Sequence, residues 1–148
     1  MPGPEPAGGV TSVLANVSCV AIDGRAVLIE GAPGSGKSSL ALALIDRGAT
    51  LVGDDAVTLE LRDGRLWASP PPNIAGLVEV RNVGLVPLRA AAAPLALVIR
   101  LDEAAPRYID AAEPIEREGY ALPAVALYPE APALPLRAEY ALKMHGLA

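Results

Sequence analysis

The chain has 148 residues and a formal net charge of −5, from 12 basic and 17 acidic side chains, and 52% of its residues are hydrophobic. That length suffices for one domain that buries about 70% of its unfolded surface without disulfides. The acidic balance disfavours nucleic acid as a partner, and no uninterrupted apolar run reaches the ~18 residues that a membrane helix needs.

The first residues, MPGPEPAGG, lack the basic start and apolar centre of a secretion signal, and residues 1–10 read as a flexible leader. Residues 11–148 then form a single domain, for which the cytoplasm is the expected compartment. Residues 12–30 read as a hairpin turning at Asp23-Gly24, with the lone Cys19 as a small core residue rather than a catalytic thiol. Ser38 to Arg47 is the one convincing helix, stopped by Gly48. A short strand, Ala49 to Val52, leads to Gly53-Asp54-Asp55. A second hairpin follows, Val57 to Leu61 and Leu66 to Ala68 around Arg62-Asp63-Gly64-Arg65, with Trp67 packing near its end. Residues 69–73 are proline-rich and extended, and 74–88 are apolar with Glu79 and Arg81 embedded. Leu95 to Leu101 is a buried strand, 102–121 polar and irregular, and Val125 to Leu127 and Leu134 to Leu142 supply final strands. The expected fold class is α/β, a mixed and largely antiparallel sheet with one main helix. Commoner nucleotide folds alternate strands with long helices.

Residues Gly31 to Ser38 read GAPGSGKS, a full match to G-x-x-x-x-G-K-[ST], between an apolar strand and that helix. The glycines let successive backbone N–H groups face phosphate oxygens, and the helix N-terminus adds about half a positive charge there. The binding stretch is Gly31, Ala32, Pro33, Gly34, Ser35, Gly36, Lys37, Ser38 and Ser39. Lys37 would reach the β- and γ-phosphates of a nucleoside triphosphate such as ATP, and the Ser38 hydroxyl would sit on Mg²⁺.

Phosphoryl transfer further needs a metal ligand and a carboxylate to accept the proton of an attacking hydroxyl. Asp54 and Asp55 follow the strand that comes after the helix. A strand–helix–strand unit returns parallel beside its first strand, which would bring both to the GAPGSGKS edge with different roles. Glu79 and Arg81 stand two apart amid apolar neighbours, where charges either pair with one another or bind a ligand. His145, near the end of the chain, reads as without chemical role.

Val27 to Leu59 and Ile74 to Leu88, IAGLVEVRNVGLVPL, together resemble the C-terminal catalytic domain of the HPr kinase/phosphorylase family over about residues 12–101. The resemblance implies an ATP-dependent kinase that phosphorylates a serine of the phosphocarrier HPr and removes it with inorganic phosphate, giving pyrophosphate. It also implies a phosphoenolpyruvate-carboxykinase-like fold and hexamers, in a short form without the longer members' N-terminal domain. By this likeness Lys37, Asp54, Asp55 and Arg81 are catalytic, with Asp54 the acid/base and Arg81 orienting the site. Ser38, Asp55 and Glu79 hold Mg²⁺. Two positions depart from the family pattern: Asn16 stands where relatives carry a histidine, and 128–132 lacks their loop arginine. Two other functions stay open, a nucleotide-holding regulatory module without turnover and a small-molecule kinase.

Overall fold

The computed structural model describes residues 11–72 and 76–148; the expected leader over 1–10, together with residues 73–75, lies outside the described residues. Strand β1 (Thr11–Ile22) turns at Asp23 and Gly24, φ 51° and 78°, into β2 (Arg25–Gly31). Two successive left-handed residues make the turn whose twist matches paired strands, and this is the expected hairpin. Val27, Leu28 and Ile29 are fully buried, so β2 packs on both faces.

From Gly31 the chain enters a short loop, then α1 (Lys37–Asp46), and returns as β3 (Thr50–Arg62). Here the structure corrects the expected outline twice. The strand at Ala49 to Val52 and the arm at Val57 to Leu61 are one continuous strand, with Asp54 and Asp55 inside it rather than after a strand's end. Moreover, β3 does not lie beside β2. It pairs antiparallel with β1, which sits between them. Local sequence does not reveal this, because the hairpin partner of β2 takes the neighbouring position before α1 crosses over.

The second hairpin closes as expected with β4 (Arg65–Ser69), and the Arg62 guanidinium lies 4.5 Å from the centroid of the Trp67 ring. A separate two-stranded hairpin follows, β5 (Leu77–Val80) and β6 (Gly84–Pro87). Strand β7 (Ala93–Leu101) pairs parallel with β2 and antiparallel with β4. The pairings β2–β1–β3–β4–β7–β2 therefore close on themselves, leaving no free edge among those five strands. The region expected to be irregular contains β8 (Glu113–Arg117) and the start of β9 (Tyr120–Leu127), and β9 pairs parallel with β7. The sheet is mixed and mostly antiparallel, as expected.

Side-chain alternation divides the core. Cys19, Leu28, Leu59, Leu66 and Leu95 pack inside the closed strands, whereas Ile29, Leu97 and Ile99 face α1. Burial pushes the Cys19 thiol well above its ordinary pKa, so it stays protonated and inert, as expected of a core cysteine.

Leu134 to Leu142 is a helix, α2 (Leu134–His145), not a strand. Its buried residues, Leu134, Ala138, Ala141 and Leu142, follow helical spacing, while Leu136 and Tyr140 are exposed. Pro135 stands in the first turn, where a missing N–H is harmless. The bidentate pair Arg47–Glu139, at 2.8 and 2.9 Å, links the end of α1 to α2.

As a check on this correction, Leu142→Ala is expected to cost about 2–5 kcal/mol in denaturant unfolding, against no more than about 0.5 kcal/mol for Leu136→Ala. In a strand, both residues would share one face and cost alike.

Candidate active site

The C-terminal end of β2 opens the site. Glu30, the last residue before Gly31, is gripped by Arg117 of β8 through contacts of 2.6, 2.8 and 3.0 Å. That bidentate pair fixes the point from which the loop departs. The loop tightens through Ser35 N–H donating to the Ala32 carbonyl at 3.0 Å, and Gly36, at φ 102°, leads into α1. A side chain at Gly36 would have to adopt left-handed backbone, which glycine does freely. Neither a capping side chain nor an acidic residue covers the first turn of α1, so its N–H groups remain open to an external anion. Lys37 Nζ folds over the loop, donating to the Gly31 carbonyl at 2.9 Å and the Ala32 carbonyl at 3.1 Å. Ser35 Oγ is buried in the loop without a hydrogen-bond partner among the described residues.

Strand β3 delivers the aspartates to this loop. Gly53 lets β3 bend back on itself around the aspartates, since a Cβ there would run into the Ala56 carbonyl oxygen of the same strand. Asp54 is buried, and its Oδ1 accepts hydrogen bonds from Ser38 Oγ at 2.7 Å and Ser18 Oγ at 2.8 Å. Asp55 is exposed. The pair is thus divided between two environments, although simple alternation along a strand is not the cause. Between Ala15 and Ser18 the register of β1 on β3 slips, so that Asn16 and Val17 oppose the single residue Asp55. Asn16 and Asp55 adopt φ 63° and 69° at this bulge. Left-handed backbone costs an ordinary residue about 1–2 kcal/mol, and Asn and Asp tolerate it best. A bulge re-aims side chains, and here its two left-handed residues, Asn16 and Asp55, line the same cavity.

That cavity, ≈ 790 Å³, brings together Gly31, Gly34, Lys37, Ser38 and Ser39 from the loop and α1, Asn16 and Asp55 from the bulge, and Glu79 and Arg81 from the β5–β6 hairpin. Glu79 belongs to β5 and Arg81 to the turn after it, so they do not share an extended segment as the sequence suggests. Both are exposed, and among the described residues neither has an ion-pair partner within 4.0 Å. Asp54 is the one expected catalytic residue set back from the cavity wall, one hydrogen bond behind Ser38. Sequence reading missed Ser18 altogether. Its signal was a hydroxyl inside the apolar run Val17-Ser18-Cys19-Val20, since a buried polar group needs a partner.

Among the described residues no group of three or more His, Cys, Asp or Glu would cage a metal. The hard oxygens at hand are Ser38 Oγ and the carboxylates of Asp55 and Glu79, with Asp54 behind. Such a sparse set suits Mg²⁺, which keeps waters and combines one or two carboxylates with substrate phosphates. Among the described residues no helix is long and apolar enough to cross a membrane.

Residues 11–102, more than half of the chain, match the family model described as HPr Serine kinase C-terminal domain. The chain belongs to this family. Its curated relatives include an HPr kinase/phosphorylase of Clostridium botulinum, 45% identical over 67 residues, and one of Streptococcus thermophilus, 46% identical over 68 residues. Each alignment covers 45% of this chain and only 22% of the relative's length. A solved structure, that of the Hpr(Ser) kinase/phosphatase from Coxiella burnetii, is 27% identical with a TM-score of 0.77, over 89% of this chain and 88% of that one. The family's fold, α/β with a mixed sheet and few helices, is the one described above.

The bulge gives a test of its own. Asp55→Gly is expected to change stability by less than about 1 kcal/mol, because relief of left-handed strain offsets glycine's entropy cost. Asp55→Val, forced into the same backbone, is expected to lose at least about 1–2 kcal/mol in thermal melts. Equal stabilities for the two variants would contradict the strained conformation.

Proposed function

We propose that the chain is an ATP-dependent protein serine kinase/phosphorylase acting on an HPr-like phosphocarrier. The observation that carries this is one cavity shared by the uncapped α1 N-terminus, Lys37, Ser38, Asp55, Glu79 and Arg81. Family membership supports the same reading, since the curated relatives are named HPr kinase/phosphorylase. Residues 11–148 act as one catalytic unit with phosphoenolpyruvate-carboxykinase-like P-loop architecture, a cytoplasmic location and a hexameric assembly as the resemblance implies.

In this reading the backbone N–H groups from Gly31 to Ser39 hold the phosphates, and Lys37 leaves the Gly31 and Ala32 carbonyls to reach the β- and γ-phosphates. Ser38, Asp55 and Glu79 would hold Mg²⁺, which would supply positive charge to offset that of the phosphates. Arg81, on the opposite wall, orients the transferred group, and Asn16 donates or accepts a hydrogen bond without carrying a proton. Asp54 takes the proton from the acceptor serine. Its Oδ1 is occupied by two hydroxyls, which leaves Oδ2 for that task. In the reverse direction the same oxygen returns the proton to serine as inorganic phosphate takes the phosphoryl group, giving pyrophosphate.

One observation favours exchanging the aspartates. Asp54 touches Ser38 at 2.7 Å, the hydroxyl that would ligate the metal, whereas Asp55 faces the open cavity. The exchanged roles put Asp54 on the metal side and Asp55 at the acceptor.

Transfer of label from γ-³²P-ATP to HPr tests the proposal. Lys37→Ala is expected to cut transfer at least about a hundredfold, on the scale of removing a donor aimed at developing charge. Loss of transfer in Asp54→Asn with Mg²⁺-dependent ATP binding intact supports Asp54 as the acid/base; loss of that binding supports the exchange. Magnesium-dependent binding without labelled HPr would favour the regulatory module, and label found only on a metabolite the small-molecule kinase.

A further inference from the structure

Among the described residues, Ser18 and Asp54 are the two buried polar side chains, and they bond to one another. They are also register partners, Ser18 on β1 opposite Asp54 on β3. Side chains at paired positions stand on the same face with Cβ atoms about 4.5–5.5 Å apart, the reach of a hydroxyl to a carboxylate. Ser18 is 1% exposed and belongs to the strand lattice, whereas Ser38 stands in the first turn of α1, beside the cavity. Each hydroxyl has one proton, and both are spent on the same oxygen, Asp54 Oδ1. With its proton committed there, the Ser38 oxygen keeps its lone pairs for a cation.

We propose that Ser18 is a positioning residue: it fixes the Asp54 carboxylate from the strand side, and Asp54 in turn aims the Ser38 oxygen into the cavity. The inference rests on the nucleotide-binding reading above and holds for either assignment of the two aspartates. Without Ser18, Oδ1 keeps one partner instead of two. The carboxylate can then turn about its Cα–Cβ and Cβ–Cγ bonds, and Ser38 loses the fixed acceptor that orients it. Groups that orient a metal ligand from behind typically contribute 10- to 100-fold to metal affinity or activity.

The experiment is calorimetric titration of the full chain with ATP, with and without Mg²⁺, for wild type, Ser18→Ala, Ser18→Thr and Ser18→Cys, alongside thermal melts. The expected result for Ser18→Ala is at least about a tenfold smaller gain in ATP affinity on adding Mg²⁺, with metal-free affinity changed less than about twofold. Ser18→Thr, which keeps the hydroxyl, is expected to restore the gain. Should Ser18→Ala not fold, Ser18→Cys decides, because its thiol fills the space but donates weakly; it is expected to lose the gain as well. A merely structural Ser18 would lower the melting temperature and leave the magnesium-dependent gain at the wild-type level in the alanine or cysteine variant, which would overturn the proposal. Absence of ATP binding by the wild type would instead sink the nucleotide-binding reading itself.

Discussion

The contact between Ser38 and Asp54 organises everything around the site. It joins the first turn of α1 to β3 at 2.7 Å, although β1 separates β3 from β2, the strand that leads into α1. A buried carboxylate is stable only with hydrogen bonds to its charge. Asp54 obtains them from one hydroxyl on α1 and one on β1, so three elements meet at a single oxygen. The bulge beside it then points Asn16 and Asp55 into the open cavity while Asp54 stays inside. Buried and exposed carboxylates thus occupy consecutive residues because the backbone is bent there.

The closed circuit of strands gives this contact its rigidity. β2 is packed on both faces, its penultimate residue Glu30 is clamped by Arg117, and β7 runs parallel beside it. The loop therefore leaves from a fixed point and ends on a helix whose inner face, Leu40, Ala41 and Leu44, is buried against the sheet. The β5–β6 hairpin stands apart from the main sheet, with Val83 and Leu85 largely exposed, and it supplies Glu79 and Arg81 to the opposite wall. The loop and helix thus form one wall of the cavity, and a hairpin outside the main sheet forms another.

Much of this was legible in the chain, and the parts that were not share a cause. The GAPGSGKS loop, the first two hairpins and the helix from Ser38 follow from local signals: left-handed turn residues, an apolar run, a stop at Gly48. The arrival of both aspartates at the GAPGSGKS edge was expected, although the route differs, since β1 intervenes between β2 and β3, and the Asp54–Ser38 contact was not foreseen. What local signals do not carry is register. The slip between Ala15 and Ser18 depends on two strands at once, and so do the placement of Ser18 and the turning of Asp55. The helix at Leu134 to His145 was misread because Pro129, Pro132 and Pro135 suggested extended chain; Pro135 falls in the first turn, and only the sheet beneath explains why Ala138, Ala141 and Leu142 are buried.

A crystal structure of the chain with Mg²⁺ and a non-hydrolysable ATP analogue tests the central claim most directly. The account predicts β- and γ-phosphate oxygens within hydrogen-bond distance of the N–H groups of Gly34 to Ser38, and the metal ligated by Ser38 Oγ while Asp54 keeps its bond to that residue. An analogue seated elsewhere, or a metal bound away from Ser38 with the Ser38–Asp54 contact broken, would contradict it.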